Sequence, residues 1–115
     1  MLVCLACFEQ RIASLLENAS HLMVFALDQG RAEARADIPA PTGGPQALIA
    51  LLRSLGVRVL VCGALDGNWE RALLGTGIRL RAWVGGNVEE ILDGLREGRI
   101  GTETGGKAAP AVNAP

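Results

Sequence analysis

The chain has 115 residues, half of them hydrophobic, with two Trp, two Phe, no Tyr and a formal net charge of −1. That length makes one domain around an aliphatic core of Leu, Val, Ile and Ala. The balanced charge, with no basic patch among aromatics, argues against a nucleic-acid partner and against an anionic membrane surface, and no apolar run approaches a bilayer span.

Leu2 to Cys7 is a short continuous apolar run, the pattern of a strand buried on both faces. Glu9 to Ala19 reads as a polar connection with room for one helical turn at Ile12, Leu15 and Leu16. Leu22 to Leu27 is a second apolar strand. Asp28-Gln29-Gly30 then turns the chain into Arg31 to Asp37, where charged and small residues alternate. That alternation predicts a half-exposed edge strand, hairpinned to the one before it and defended by its charges.

Pro39 to Gly44 is a loop, and Pro45 suits a first helical turn. Leu48, Leu51, Leu52 and Leu55 make one apolar helix face, which Gly56 ends. Val57 to Cys62 is the next buried strand. After the loop from Gly63 to Gly67, Asp66 caps a short helix carrying Trp69, Ala72 and Leu73. Ile78 to Val84 is a strand whose Arg79 and Arg81 share one face, which predicts weaker burial. Asn87 and Glu90 form a capping-box pair for a last helix with Val88, Ile91, Leu92 and Leu95 on its apolar stripe. The stretch 101–115 is rich in Gly, Ala and Pro without apolar period, and reads as a disordered tail.

The order is β-β-β-α-β-α-β-α. It predicts a single α/β domain over 1–100, with five strands in a mixed sheet and helices on its faces.

Three cysteines form an odd set without the spacing of a disulfide framework, so they read as reduced thiols of a cytoplasmic protein. Cys4 and Cys7 differ by three along a strand and therefore point to opposite faces. That geometry suits neither a metal knuckle nor a thioredoxin-type pair. Cys4 reads as core. Cys7 and Cys62 both fall at carboxyl ends of buried strands, where ligands of open α/β sheets collect, and can approach one another there. Each is a candidate metal ligand or a core residue. His21 is a candidate soft-metal ligand or a partly exposed polar residue at a strand start.

The glycine loops offer another chemistry. Gly43-Gly44, Gly63 and Gly85-Gly86 precede or link helices, so backbone N–H groups at helix N-termini could hold an anion, with Arg11 adding a charge. The alternative is ordinary α/β loops. Asp28, Asp37 and Asp66 do not read as a convergent carboxylate set, and no nucleophile–His–acid group is evident, so no enzyme activity is expected.

The runs G-V-R-V-L-V-C-G-A at 56–64, G-I-R at 77–79, G-G-N-V-E-E at 85–90 and G-R-I at 98–100 resemble the dinitrogenase iron–molybdenum cofactor biosynthesis family. That family includes small cofactor carriers and the molybdenum–copper orange protein. The resemblance covers roughly residues 1–100 and implies a ribonuclease H-like sheet. It also implies non-enzymatic carriage of a molybdenum–copper–sulfur or iron–molybdenum–sulfur cluster, with a protein partner in cluster assembly or delivery. Cys7, Cys62 and His21 would be the metal ligands, and Arg11, Gly43, Gly44, Gly63, Gly85 and Gly86 would line the cofactor site. The family's S-x-H-F-G-R-A run falls on Ala13 to Ala19, where Leu15 takes the His position, and Thr42-Gly43-Gly44 stands where members often carry another His or Cys. These departures support the alternative, a cofactor-free interaction module of the same fold.

Overall fold

The computed structural model describes residues 1–101; the expected tail lies beyond them but for Gly101. A mixed sheet holds the strands in the order β4-β3-β1-β5-β6, with β2 paired to β1 off that path. The strands are β1 (Leu2–Phe8), β2 (Arg11–Ile12), β3 (His21–Asp28), β4 (Arg31–Pro39), β5 (Val57–Val61) and β6 (Arg79–Arg81). Three helices complete the fold: α1 (Gly44–Leu55), α2 (Gly67–Leu74) and α3 (Val88–Arg96).

The apolar opening run becomes the central strand. β1 pairs antiparallel with β3 and parallel with β5, so both its edges are paired; helices cover both its faces, and Val3 to Cys7 are buried. On one face Cys4, Ala6, Leu60 and Cys62 pack against Leu48 and Leu52 of α1 and Leu73 of α2. On the other, Val3, Leu5, Cys7, Val59 and Val61 pack against Val88, Ile91, Leu92 and Leu95 of α3. Each fully buried Leu or Ile of these layers contributes about 1.5–3 kcal/mol. The β3–β4 hairpin closes at Gln29 and Gly30, both with positive φ, the form whose twist matches its strands.

Two expectations are corrected. The sheet has six strands rather than five, because two residues of the expected connection, Arg11 and Ile12, pair with Phe8 and Cys7 as β2. A two-residue strand is too short to show a period; the expected helical turn survives as a 3-10 turn over Leu16–Asn18. The second correction concerns β6, which is only Arg79–Arg81, with Arg81 buried rather than on an exposed face. Its guanidinium is satisfied by backbone: Nε donates to the Gly101 carbonyl at 2.6 Å and Nη1 to that of Leu80 at 3.1 Å.

Candidate functional site

β1, β5 and β6 run parallel, so their carboxyl ends open to the same side. There the chain leaves β1, turns at Glu9 and Gln10, and returns as β2. The segment Arg11–Ser14 forms the shared wall of a two-part groove. One part, of about 390 Å³, is also lined by Phe8, Glu9, Leu15 and Asn18. The other, of about 220 Å³, is completed by Gly63, Ala64, Trp83, Val84 and Gly85. Three large hydrophobic side chains stay open to solvent along it: Phe8 at 50 % exposure, Leu15 at 41 % and Trp83 at 55 %. Arg11 sits between them and forms no ion pair with any described residue.

The groove also holds two of the described chain's three non-glycine residues at positive φ, Glu9 at 57° and Trp83 at 64°. Side chains disfavour that backbone region, and such positions concentrate where function over-determines them. Trp83 is fixed there by its own N–H to the Gly63 carbonyl at 2.9 Å and by the Val84 N–H to the Cys62 carbonyl at 3.0 Å.

The glycines do not act together. Gly63 is pressed against the chain itself: a Cβ there would lie 2.4 Å from the Ala13 carbonyl oxygen and 2.6 Å from that of Ser14. The space is therefore occupied by the 13–14 backbone, which is stitched in place by Ala64 N–H to Ser14 O (2.9 Å) and Leu16 N–H to Ala64 O (2.8 Å). Gly86 gives its carbonyl to the Ile12 N–H at 3.0 Å. Gly85 lines the groove, whereas Gly43 and Gly44, at the start of α1, do not.

The helix N-termini near the groove are already engaged. At α3, Asn87 and Glu90 complete the expected capping box and the Val88 N–H donates to the Gln10 carbonyl at 2.9 Å. At α2, Asp66 accepts from the Asn68 N–H. Of the three α-helices among the described residues, α1 alone lacks a side-chain cap, and it lies off the groove lining.

The cysteines do not converge either. As the spacing predicts, Cys4 and Cys7 face opposite sides of the sheet. The expected approach of Cys7 to Cys62 does not occur, because Cys62 packs with the α1–α2 layer and Cys7 with the α3 layer. Parity decides this: the parallel register Leu5↔Val61 brings Cys62 level with Ala6. All three thiols are fully buried. Burial, followed by the Asp37 carboxylate, pushes the Cys7 thiol up to about 12. Burial, with Glu17 and Glu70, does the same for Cys62.

His21 has partners the sequence did not reveal. It stands opposite Cys7 on β1, its Nδ1 lies 2.5 Å from Oδ1 of Asp37 on β4, and its Nε2 lies 2.6 Å from the Glu9 carbonyl oxygen. Cys7, His21 and Asp37 thus occupy three adjacent strands, but both imidazole nitrogens are engaged by Asp37 and the Glu9 carbonyl, and the Cys7 Sγ–H donates to the Leu5 carbonyl at 3.5 Å. A nucleophile activated by a neighbouring base is not formed. The signal available in sequence was weak: His21 and Asp37 come close only through the β3–β4 register, where a bulge between Val24 and Phe25 shifts the pairing.

An anionic metal–sulfur cluster finds little here to hold it. Among the described residues no group of three or more His, Cys, Asp or Glu side chains converges as a metal site. The thiols are buried and burial pushes them up, both imidazole nitrogens are engaged, and the groove offers the Arg11 cation against the Glu9 carboxylate. No helix of the described residues is long and apolar enough to cross a membrane.

No protein-family model matches the sequence, and no curated protein is significantly similar to it. Solved structures do match. PH0822 superposes with a TM-score of 0.77 at 10 % identity, covering 85 % of this chain and 90 % of its own. A candidate dinitrogenase from Methanocaldococcus jannaschii gives 0.65 at 13 % identity, over 85 % and 89 % of the two chains. A candidate NifB protein of the DUF35 family, from Thermotoga, gives 0.62 at 21 % identity, again over 85 % and 89 %. The structural neighbours thus include candidate dinitrogenase and NifB proteins, and the chain shares their fold.

Proposed function

We propose that this chain is a non-enzymatic interaction module with the fold of the cofactor-assembly proteins, working through the groove at the carboxyl ends of β1, β5 and β6. The observation that carries this reading is the set of exposed Phe8, Leu15 and Trp83 around the uncommitted Arg11. Aromatic, aliphatic and Arg side chains in a concave patch are what a protein interface uses as anchors. Leu15 stands where the family motif has His, so the groove gains an apolar contact where a ligand would have been. The fold shared with candidate dinitrogenase and NifB proteins supports a role beside cluster assembly.

The carrier reading is the second one, and Arg11 is the observation that favours it. One experiment separates the two. Anaerobic protein is titrated with tetrathiomolybdate and Cu(I), passed through gel filtration, and its Mo and Cu counted. The same preparation, tagged in its own host, is compared with a Leu15→Asn/Trp83→Asn variant for co-purifying protein. The interaction module predicts metal that separates from the protein and a partner retained by the parent chain alone. Metal co-eluting in a fixed ratio, and lost on Arg11→Glu, would install the carrier reading instead.

A further inference from the structure

The His21 side chain joins the turn after β1 to the outer strand β4. Its Nε2 meets the carbonyl of Glu9, in the turn that walls the groove, and its Nδ1 meets Asp37 on the sheet's outer strand. A carbonyl oxygen only accepts, so Nε2 must carry a proton; an ionised carboxylate only accepts, so Nδ1 must carry one too. Both bonds exist together only in the imidazolium form.

We propose that His21 is a proton-dependent latch on the groove: protonated, it ties the Glu9 turn to Asp37, and deprotonated, it releases that turn. The neutral ring has one N–H. The Asp37 carboxylate is the stronger acceptor and keeps it. The Nε2 lone pair then faces the lone pairs of the Glu9 carbonyl, which repels it. Glu9 sits at φ 57°, a conformation a non-glycine residue holds only when its neighbours fix it, so losing the bond acts on a backbone already held against its preference. Phe8 and Arg11, either side of the turn, move with it and change the groove's shape.

The titratable groups that face His21 come from each element around it. β4 supplies Asp37 and the uncharged Pro39, β1 supplies Cys7, and the turn supplies Glu9. Cys7 stays a neutral thiol throughout the relevant range, because burial pushes it up to about 12. Farther along β4, Glu33 and Arg35 pair with each other at 3.1 Å. Asp37 is thus the charge that governs the latch, and its hydrogen bond is the largest influence raising the affinity of His21 for its proton.

The latch rests on the groove reading for its purpose, but its test does not need a groove ligand. NMR of the free, uniformly ¹⁵N-labelled chain is followed from pH 5.5 to 9. The His21 ring nitrogens are expected to titrate with a midpoint above 6.5, and the Gln10 amide, in the same peptide group as the Glu9 carbonyl, to shift with that same midpoint. Asp37→Asn is expected to lower both midpoints together, and His21→Gln to abolish the Gln10 inflection. A Gln10 amide that stays still while His21 titrates, or a midpoint indifferent to Asp37→Asn, overturns the latch. Either result leaves the groove reading standing, and a groove that binds no protein leaves the titration intact.

Discussion

A Cβ on Gly63 would lie 2.4 Å from the carbonyl oxygen of Ala13. This contact explains the glycine after the Val57–Val61 strand better than any ligand does. The 13–15 segment docks on the end of β5 through a parallel bridge between Leu15 and Ala64, and only a residue without a side chain lets the backbones meet. Gly63→Ala must push the segment away, at a cost of about 1–3 kcal/mol or more for overpacking against backbone. Gly75→Ala is the contrast. Gly75 has φ −84° and its nearest neighbours would be 4.0 Å from a Cβ, so that change should alter stability by less than about 1 kcal/mol. Urea unfolding of the two variants decides; equal effects would mean the 13–15 segment is not docked as described.

Stability should depend on pH through His21. Its hydrogen bond to Asp37 raises its pKa above the ordinary 6.5. A raised folded-state value means that stabilisation is fully present below the unfolded value and is lost as pH rises through the folded one. The stability difference between the parent chain and His21→Ala should therefore be largest near pH 6 and shrink toward pH 9. Chemical denaturation at both pH values measures it. A difference that grows with pH would mean the imidazole is held neutral.

The three thiols should be silent in the folded chain. With Cys7 and Cys62 pushed up to about 12, roughly one thiol in 10⁴ is ionised at pH 8, and the thiolate is the reactive form. Burial adds a steric barrier. Labelling by a disulfide reagent should proceed at the rate of unfolding and accelerate steeply in urea. A single thiol reacting within seconds in buffer would place it at the surface, and would reopen its candidacy as a metal ligand.

Much of the fold was legible in the sequence because its signals are local. The apolar run from Leu2 to Cys7, the Leu48–Leu55 stripe and the Asn87–Glu90 capping pair each announce their element within a few residues. The site was less legible because it is made by contacts between distant segments. That Gly63 serves Ala13, that Val88 serves Gln10, and that His21 finds Asp37 across a bulged register are facts of tertiary pairing. Parity separated Cys4 from Cys7 correctly. It would have separated Cys7 from Cys62 as well had the register of β1 on β5 been known. Arg81 shows the same limit: an alternating Arg pattern reads as exposed, but the Gly101 carbonyl that shelters its Nε lies twenty residues on.

The groove residues should separate binding from stability. Leu15 and Trp83 lie outside the two buried clusters, so removing them exposes little new core, and Asn tolerates the left-handed backbone that Trp83 adopts at φ 64°. Leu15→Asn and Trp83→Asn should each change unfolding stability by less than about 1 kcal/mol, as surface substitutions do. Leu5→Ala, on the central strand and fully buried against the α3 layer, should instead cost about 2–5 kcal/mol through lost transfer energy and a cavity. Urea midpoints of the three variants test this ordering. The interaction reading requires that the two groove variants fold as well as the parent chain while losing its partner; if either costs as much as Leu5→Ala, these side chains serve the core and the groove is not a binding surface.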